Sequence, residues 1–147
     1  MSDIKIKNIF VNGKIESGFI GESIAKHSSK TTIGGHSIFM GQVRRDDQGG
    51  KFVYAIEFTA YETLALEKMN LIREEIFDKY PIICLHVYHS LGVVNTGDIC
   101  LFVFCSAAHR TPAIDACTEI VERLKTELPI WGKEIFEDDS HQWKENN

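Results

Sequence analysis

The chain has 147 residues, enough for one domain with a real core. Hydrophobic residues make up 44% and charged residues 25%, which is ordinary globular usage and excludes a disordered chain. The net charge of -5 excludes a broad nucleic-acid-binding face, although a local cationic pocket stays open.

No apolar run approaches the ~20 residues that span a bilayer, and MSDIKIKNIF at the start lacks the apolar core of a signal peptide. A cytoplasmic protein without membrane contact is expected.

Residues 4–11, IKIKNIFV, alternate as a strand. Gly13 and Gly18 punctuate the next segment, and Glu22 to Lys26 suggest a short helical turn. Residues 28–35 are polar and glycine-rich, so they read as a loop. Residues 36–44, HSIFMGQVR, read as a strand in which Gly41 marks a bulge or a close backbone approach. The polar segment 45–51 is turn-rich, and 52–60, FVYAIEFTA, reads as the antiparallel return strand.

From Glu62 to Lys79 the period becomes helical, with Ala65, Met69, Ile72, Ile76 and Tyr80 on one face and Pro81 as the stop. Residues 82–89 alternate as a strand, 92–97 connect, and 98–105, DICLFVFC, are almost continuously apolar, as a central buried strand requires. A second helix comes next. Thr111 is a good N-cap and Pro112 suits the first helical position. Ile114, Cys117, Val121, Leu124 and Leu128 recur at three- and four-residue steps, and Pro129 ends the run. Residues 136–147 form a polar tail, acidic from Glu137 on, with one large apolar residue past Phe136, namely Trp143. The order predicts an α+β sandwich, two main helices on a mostly antiparallel sheet, in a single domain spanning 1–147.

None of the four cysteines forms a C-x-x-C pair, and three lie in strand-like apolar runs. They read as buried hydrophobes, with Cys105, four residues before His109, as the one tempting nucleophile. His36, His86 and His89 lie on strand-like segments and read as structural. The histidines are scattered, so no metal site is expected.

The cations that could meet in a pocket are Arg44, Arg45, His109, Arg110, Lys125 and Lys133. Arginine offers phosphate a planar fork and lysine a compact charge, so an anionic, phosphorylated small ligand fits them. From the residues alone, two readings compete: an enzyme acting on a phosphorylated metabolite, and a binding module holding a partner's carboxylate or phosphate. GQVRR also faintly suggests an acylphosphatase-like phosphate loop, but the pattern is incomplete.

Four segments carry a resemblance. SIFMGQVR (37–44), SAAHR (106–110), LKTELPIWGKE (124–134) and QWKE (142–145) are similar to signature segments of the large, catalytic subunit of molybdopterin synthase, in the same order. The resemblance covers nearly the whole chain from Ser37 onward. It implies an α/β hammerhead-type fold. It also implies conversion of a cyclic pyranopterin monophosphate (precursor Z) to molybdopterin by addition of two sulfurs. The sulfur donor it implies is a ubiquitin-like small subunit carrying a thiocarboxylate on its C-terminal Gly-Gly tail. The implied assembly is a heterotetramer around a homodimer of large subunits, with no cofactor.

By the same resemblance, Phe39, Gln42, Val43, Arg44, His109, Arg110, Lys125, Gly132, Lys133 and Glu134 are substrate-binding, and Lys125 and Lys133 are catalytic. The family usually has a lysine immediately after the tryptophan, where this chain has Gly132. Lys133 comes one residue later, and in a strand a one-residue shift points a side chain to the opposite face, so either Lys133 substitutes through a backbone that Gly132 loosens, or one of the two usual lysines is missing. Lys125 matches without a shift and is expected to matter more. A helix from Pro112 to Lys125 is roughly 20 Å long, so one small ligand cannot touch both His109–Arg110 and Lys125 of one chain. A two-fold dimer with shared sites resolves this.

Overall fold

Strand 98–105 is the axis of the architecture. In the computed structural model, which describes residues 7–145, it becomes β6 (Ile99–Ala107). Its side chains alternate between two covered faces. Leu101, Val103, Cys105 and Ala107 enter the main core, whereas Phe102 and Phe104 enter a second one with Ile15 and Ile20. Burial on both faces explains why this strand is nearly continuous in apolar residues.

The other elements, in chain order, are β1 (Phe10–Asn12), α1 (Ser17–Lys26), β2 (Gly35–Gln42), β3 (Asp47–Gln48), β4 (Lys51–Ala60), α2 (Glu62–Lys79) and β5 (Ile82–Asn95) before β6, then α3 (Arg110–Glu127), β7 (Ile130–Phe136) and β8 (His141–Trp143) after it. The path through the sheet is β2-β6-β5-β4-β7-β8, with β1 on β5 and β3 on β4. The pairings along this path are antiparallel, and β1 joins β5 in parallel. This is the expected α+β class.

The main core is made where α2 and α3 lie on the sheet. Ala65, Met69, Ile72 and Ile76 of α2 are buried, as their spacing predicts. From α3 the buried residues are Ala113, Ala116, Cys117, Ile120 and Leu124. Ile114, expected inward, is 50% exposed, because the small alanines take the sheet-facing positions. Fully burying an isoleucine such as Ile72 or Ile120 stabilises the fold by about 1.5–3 kcal/mol.

Several expectations need correction. β4 does not return along β2. It pairs with β5 and β7, while the 45–51 segment closes a small β3–β4 hairpin. β5 runs on through the expected connection: Ile82–His89 pairs with β6, and Gly92–Asn95 pairs with β4. The expected strand over 4–11 is observed only as Phe10–Asn12, with residues 4–6 outside the described part.

The helical turn at 22–26 is a ten-residue helix, α1, held by Ile20 against Phe102 and Phe104 despite its two glycines; tertiary burial overrides the local propensity. α3 starts at Arg110 with His109 at the N-cap, so Thr111 and Pro112 sit inside its first turn. Proline is tolerated there because the first four N–H groups have no intrahelical partner anyway. The polar tail folds back as β8 on β7. No helix among the described residues is long and apolar enough to cross a membrane.

Candidate functional site

A cavity of about 410 Å³ opens where β5 passes from one half of the sheet to the other. The end of β2 and its continuation supply Phe39 to Arg44. The register of β2 on β6 shifts between Gly41 and Gln42, which is the irregularity that Gly41 announced. β4 contributes Ile56 and Phe58, β5 His89, and β6 Cys100 and Leu101. The last turn of α3 adds Leu124 and Lys125, β7 adds Ile130, Trp131 and Gly132, and the chain after β8 adds Lys144 and Glu145.

Three cations therefore reach the wall: Arg44, Lys125 and Lys144. Lys125 sits where the negative end of the α3 dipole favours a cation. Arg44 is held by Asp46, with Nε 3.3 Å from Oδ1. The same carboxylate lies 4.0 Å from Lys144 Nζ.

His89 has a fixed role in hydrogen bonding. Its Nδ1 donates to the Ser90 carbonyl at 2.8 Å, which leaves Nε2 as an acceptor. Burial pushes its pKa down to about 4, and the Lys125 ammonium pushes the same way, so the ring is neutral at pH 7. Burial also raises the pKa of the Cys100 thiol, against the pull of Lys125 and Lys144. Cys105, the tempting nucleophile, is fully buried and its thiol is pushed up to about 12; it is inert packing.

Of the residues expected at the site, Phe39, Gln42, Val43, Arg44, Lys125 and Gly132 line this cavity. Val43 does so while almost wholly buried in a small cluster with Val53, Ile56, Val94 and Phe136. Lys133 is elsewhere. It stands opposite Glu57 in the β4–β7 register, and its Nζ lies 3.1 Å from the Glu57 carboxylate. The alternation of β7 sets that side chain on the other face from the positions of Gly132 and Glu134. Glu134 is buried and accepts a hydrogen bond from Gln142 Nε2 at 3.3 Å, tying β7 to β8.

His109 and Arg110 are exposed at the far end of α3, fifteen residues from Lys125, or about 22 Å along the axis. They abut the start of β2. A Cβ on Gly34 would lie 2.0 Å from the Ala108 carbonyl oxygen, and one on Gly35 3.7 Å from Arg110 Cα. Only glycine at 34 permits that approach.

Residues 16–127 match the family model described as MoaE protein. The chain is 37% identical over 128 residues to the molybdopterin synthase catalytic subunit of Pyrococcus abyssi, covering 87% of this chain and 84% of that one. The chain belongs to the MoaE family.

Other relatives agree. A protein of the same description from Drosophila willistoni is 40% identical over 115 residues, 77% of this chain, although the match spans only 31% of the fly protein. Among solved structures, molybdopterin synthase from Staphylococcus aureus superposes with a TM-score of 0.82 at 29% identity, over 96% of this chain and 99% of that one. A complex of subunits 1 and 2 of the molybdopterin-converting factor from Helicobacter pylori, 19% identical, shares the fold with a TM-score of 0.79 over 94% of this chain and 90% of that one.

Within this MoaE-family fold, sequence reasoning missed His89, Cys100, Trp131 and Lys144 as cavity residues. QWKE pointed at Lys144, yet a polar tail hid the strand that positions it. Sequence spacing also missed a second cluster. The turn that caps α1 and strand β5 bring the ligand atoms of His27, Cys84 and His86 within 4.8 Å of one another, so the histidines are less scattered than they read.

Side chains already occupy those atoms. Lys7 Nζ donates to His86 Nδ1 at 2.9 Å, and Lys30 Nζ donates to Cys84 Sγ at 3.0 Å. His27 Nδ1 donates to the Ser23 carbonyl at 2.7 Å, and the two Nε2 atoms of His27 and His86 are 3.1 Å apart. Burial pushes the His86 pKa down to about 4, with Lys7, His27, Arg73 and Lys30 adding to it. Two ammonium groups bonded to the would-be ligands oppose a metal cation.

Proposed function

We propose that this chain is the catalytic subunit of a molybdopterin synthase, a sulfurtransferase that turns a cyclic pyranopterin monophosphate into molybdopterin. One observation carries the reading. In a chain 37% identical to a relative so named, Arg44, Lys125 and the Trp131–Gly132 step converge on one cavity of about 410 Å³, the size of a small-molecule site. The sulfur comes as a thiocarboxylate on the Gly-Gly tail of a ubiquitin-like small subunit, so the chain needs neither a nucleophilic cysteine nor a cofactor. The buried, high-pKa thiol of Cys105 is compatible with that division of labour. Lys125 stabilises the oxyanion formed when the thiocarboxylate carbonyl is attacked, or moves a proton there. One domain, with its C-terminal segment, supplies these groups.

His109 and Arg110 belong to the same reading through a two-fold dimer. Among the described residues β2 is an edge strand, paired with β6 alone, and Ile38, Phe39 and Met40 on it are exposed. An open apolar edge is a template for another strand. Antiparallel pairing of two β2 strands about a point near Ile38–Phe39 puts Gly35 of one subunit beside Gln42 of the other. His109 and Arg110, packed next to Gly35, then meet the partner's cavity. Their own helix supports an anion there: the Arg110 guanidinium and the His109 ring occupy a helix N-terminus that has no acidic residue in its first turn. Two small subunits on this dimer complete a heterotetramer in the cytoplasm.

Reconstitution tests the function. The purified chain, mixed with thiocarboxylated small subunit and precursor Z, forms molybdopterin. Binding of the small subunit without any product would leave a binding module instead.

A further inference from the structure

We propose that Lys144, on the segment after β8, is a substrate-contacting residue of this cavity and supplies the second ammonium, in place of Lys133. The proposal rests on the synthase reading above for the identity of the substrate. Its geometry stands on four observations.

Lys144 lines the cavity that Lys125 lines, whereas Lys133 is paired with Glu57. β8 runs antiparallel to β7 with Lys133 opposite Trp143 and Glu134 opposite Gln142, so the next step sets Lys144 across from Gly132. The Lys144 N–H donates to the Gly132 carbonyl at 2.8 Å, which fixes that register. Residue 132 can hardly carry a side chain here: a Cβ on Gly132 would lie 2.9 Å from Ile56 Cγ2 and 3.3 Å from Phe58 Cε1. The neighbouring strand thus delivers an ammonium to a spot that β7 itself leaves bare. Asp46, shared by Arg44 and Lys144, orients both cations, and the Cys100 thiol feels both Lys125 and Lys144.

A cationic wall built by two strands and a helix suits an anion of more than one charge, such as a phosphate monoester. Glu145 comes after Lys144 at the rim and limits the charge excess there.

The test uses the full chain with its thiocarboxylated small subunit and the cyclic pyranopterin monophosphate. Lys144→Met should lower kcat/KM at least 30-fold, Lys144→Arg should recover a third or more of the loss on a logarithmic scale, and Lys133→Met should cost less than about threefold. A Lys144→Met loss below threefold, or an equal loss from Lys133→Met, overturns the proposal.

A second readout needs no turnover. The pH profile of Cys100 alkylation should move to higher pH in Lys144→Met and stay in place in Lys133→Met; an unmoved profile in Lys144→Met also overturns it. If the unaltered complex makes no product while the Cys100 profile shifts as expected, the synthase reading fails and the placement of Lys144 survives.

Discussion

The two ends of α3 carry opposite relations between charge and backbone. At the C-terminal end, Lys125 complements the helix dipole and faces a formed cavity with His89, Trp131 and Gly132. At the N-terminal end, the Arg110 guanidinium sits where the dipole disfavours a cation, with His109 at the N-cap and no acidic residue in the first turn to offset it. Cations placed against their own helix make sense when an anion is to be held there. One end lines a cavity already formed within the chain; the other, on the function proposed above, is half of a site that a second chain completes.

The largest expected effect is at the built end. Lys125→Ala should lower kcat on the order of 1000-fold, the scale of losing one preorganised oxyanion-stabilising group, while small-subunit affinity measured by calorimetry stays within about threefold. Arg110→Ala should cost about 100-fold in kcat/KM, as for one charge-assisted hydrogen bond of about 1.5–3 kcal/mol. Steady-state kinetics checks it, and a loss below fivefold would remove the N-terminal end from the site.

The third expectation concerns pH. His89 at the cavity has a folded pKa of about 4 against an ordinary value of 6.5. The unfolded chain thus binds the proton more readily between those values. Stability from keeping this ring neutral is present above pH 6.5 and is lost as pH falls through about 4. Thermal unfolding should show a destabilisation of roughly 2–3 kcal/mol across that window, and His89→Gln should remove part of it. An equal slope in the variant would contradict the assignment.

The smallest effect is expected at Lys133. Its partly exposed pair with Glu57 is worth about 0–1 kcal/mol, so Lys133→Ala should shift the midpoint of chemical denaturation only slightly.

Much of this contrast was legible in the residues. The helical spacing of α2, the continuous apolar run of β6 and the irregularity at Gly41 are local signals, and each is present in the structure. Lys133, expected at the site if Gly132 loosened the local backbone, instead keeps the regular β7 alternation and pairs with Glu57. What the residues hid was non-local. β8 exists because Lys133, Glu134 and Ile135 offer it an edge, and a polar HQW segment carries no hydrophobic period of its own. α1 depends on Phe102 and Phe104, about eighty residues away, for the burial that outweighs Gly18 and Gly21. His89 looked structural because nothing in its strand tells that β5 changes partners near it.

Subunit complementation tests the shared site most directly. Arg110→Ala and Lys125→Ala subunits, each nearly inactive alone, are mixed under conditions where exchange is verified by mass-tagged protomers, and molybdopterin formation is measured with the small subunit present. A site shared across the two-fold predicts that the mixed dimer carries one cavity with neither substitution and regains up to half the activity of the unaltered dimer. Verified exchange with no return of activity would place the whole site within one chain.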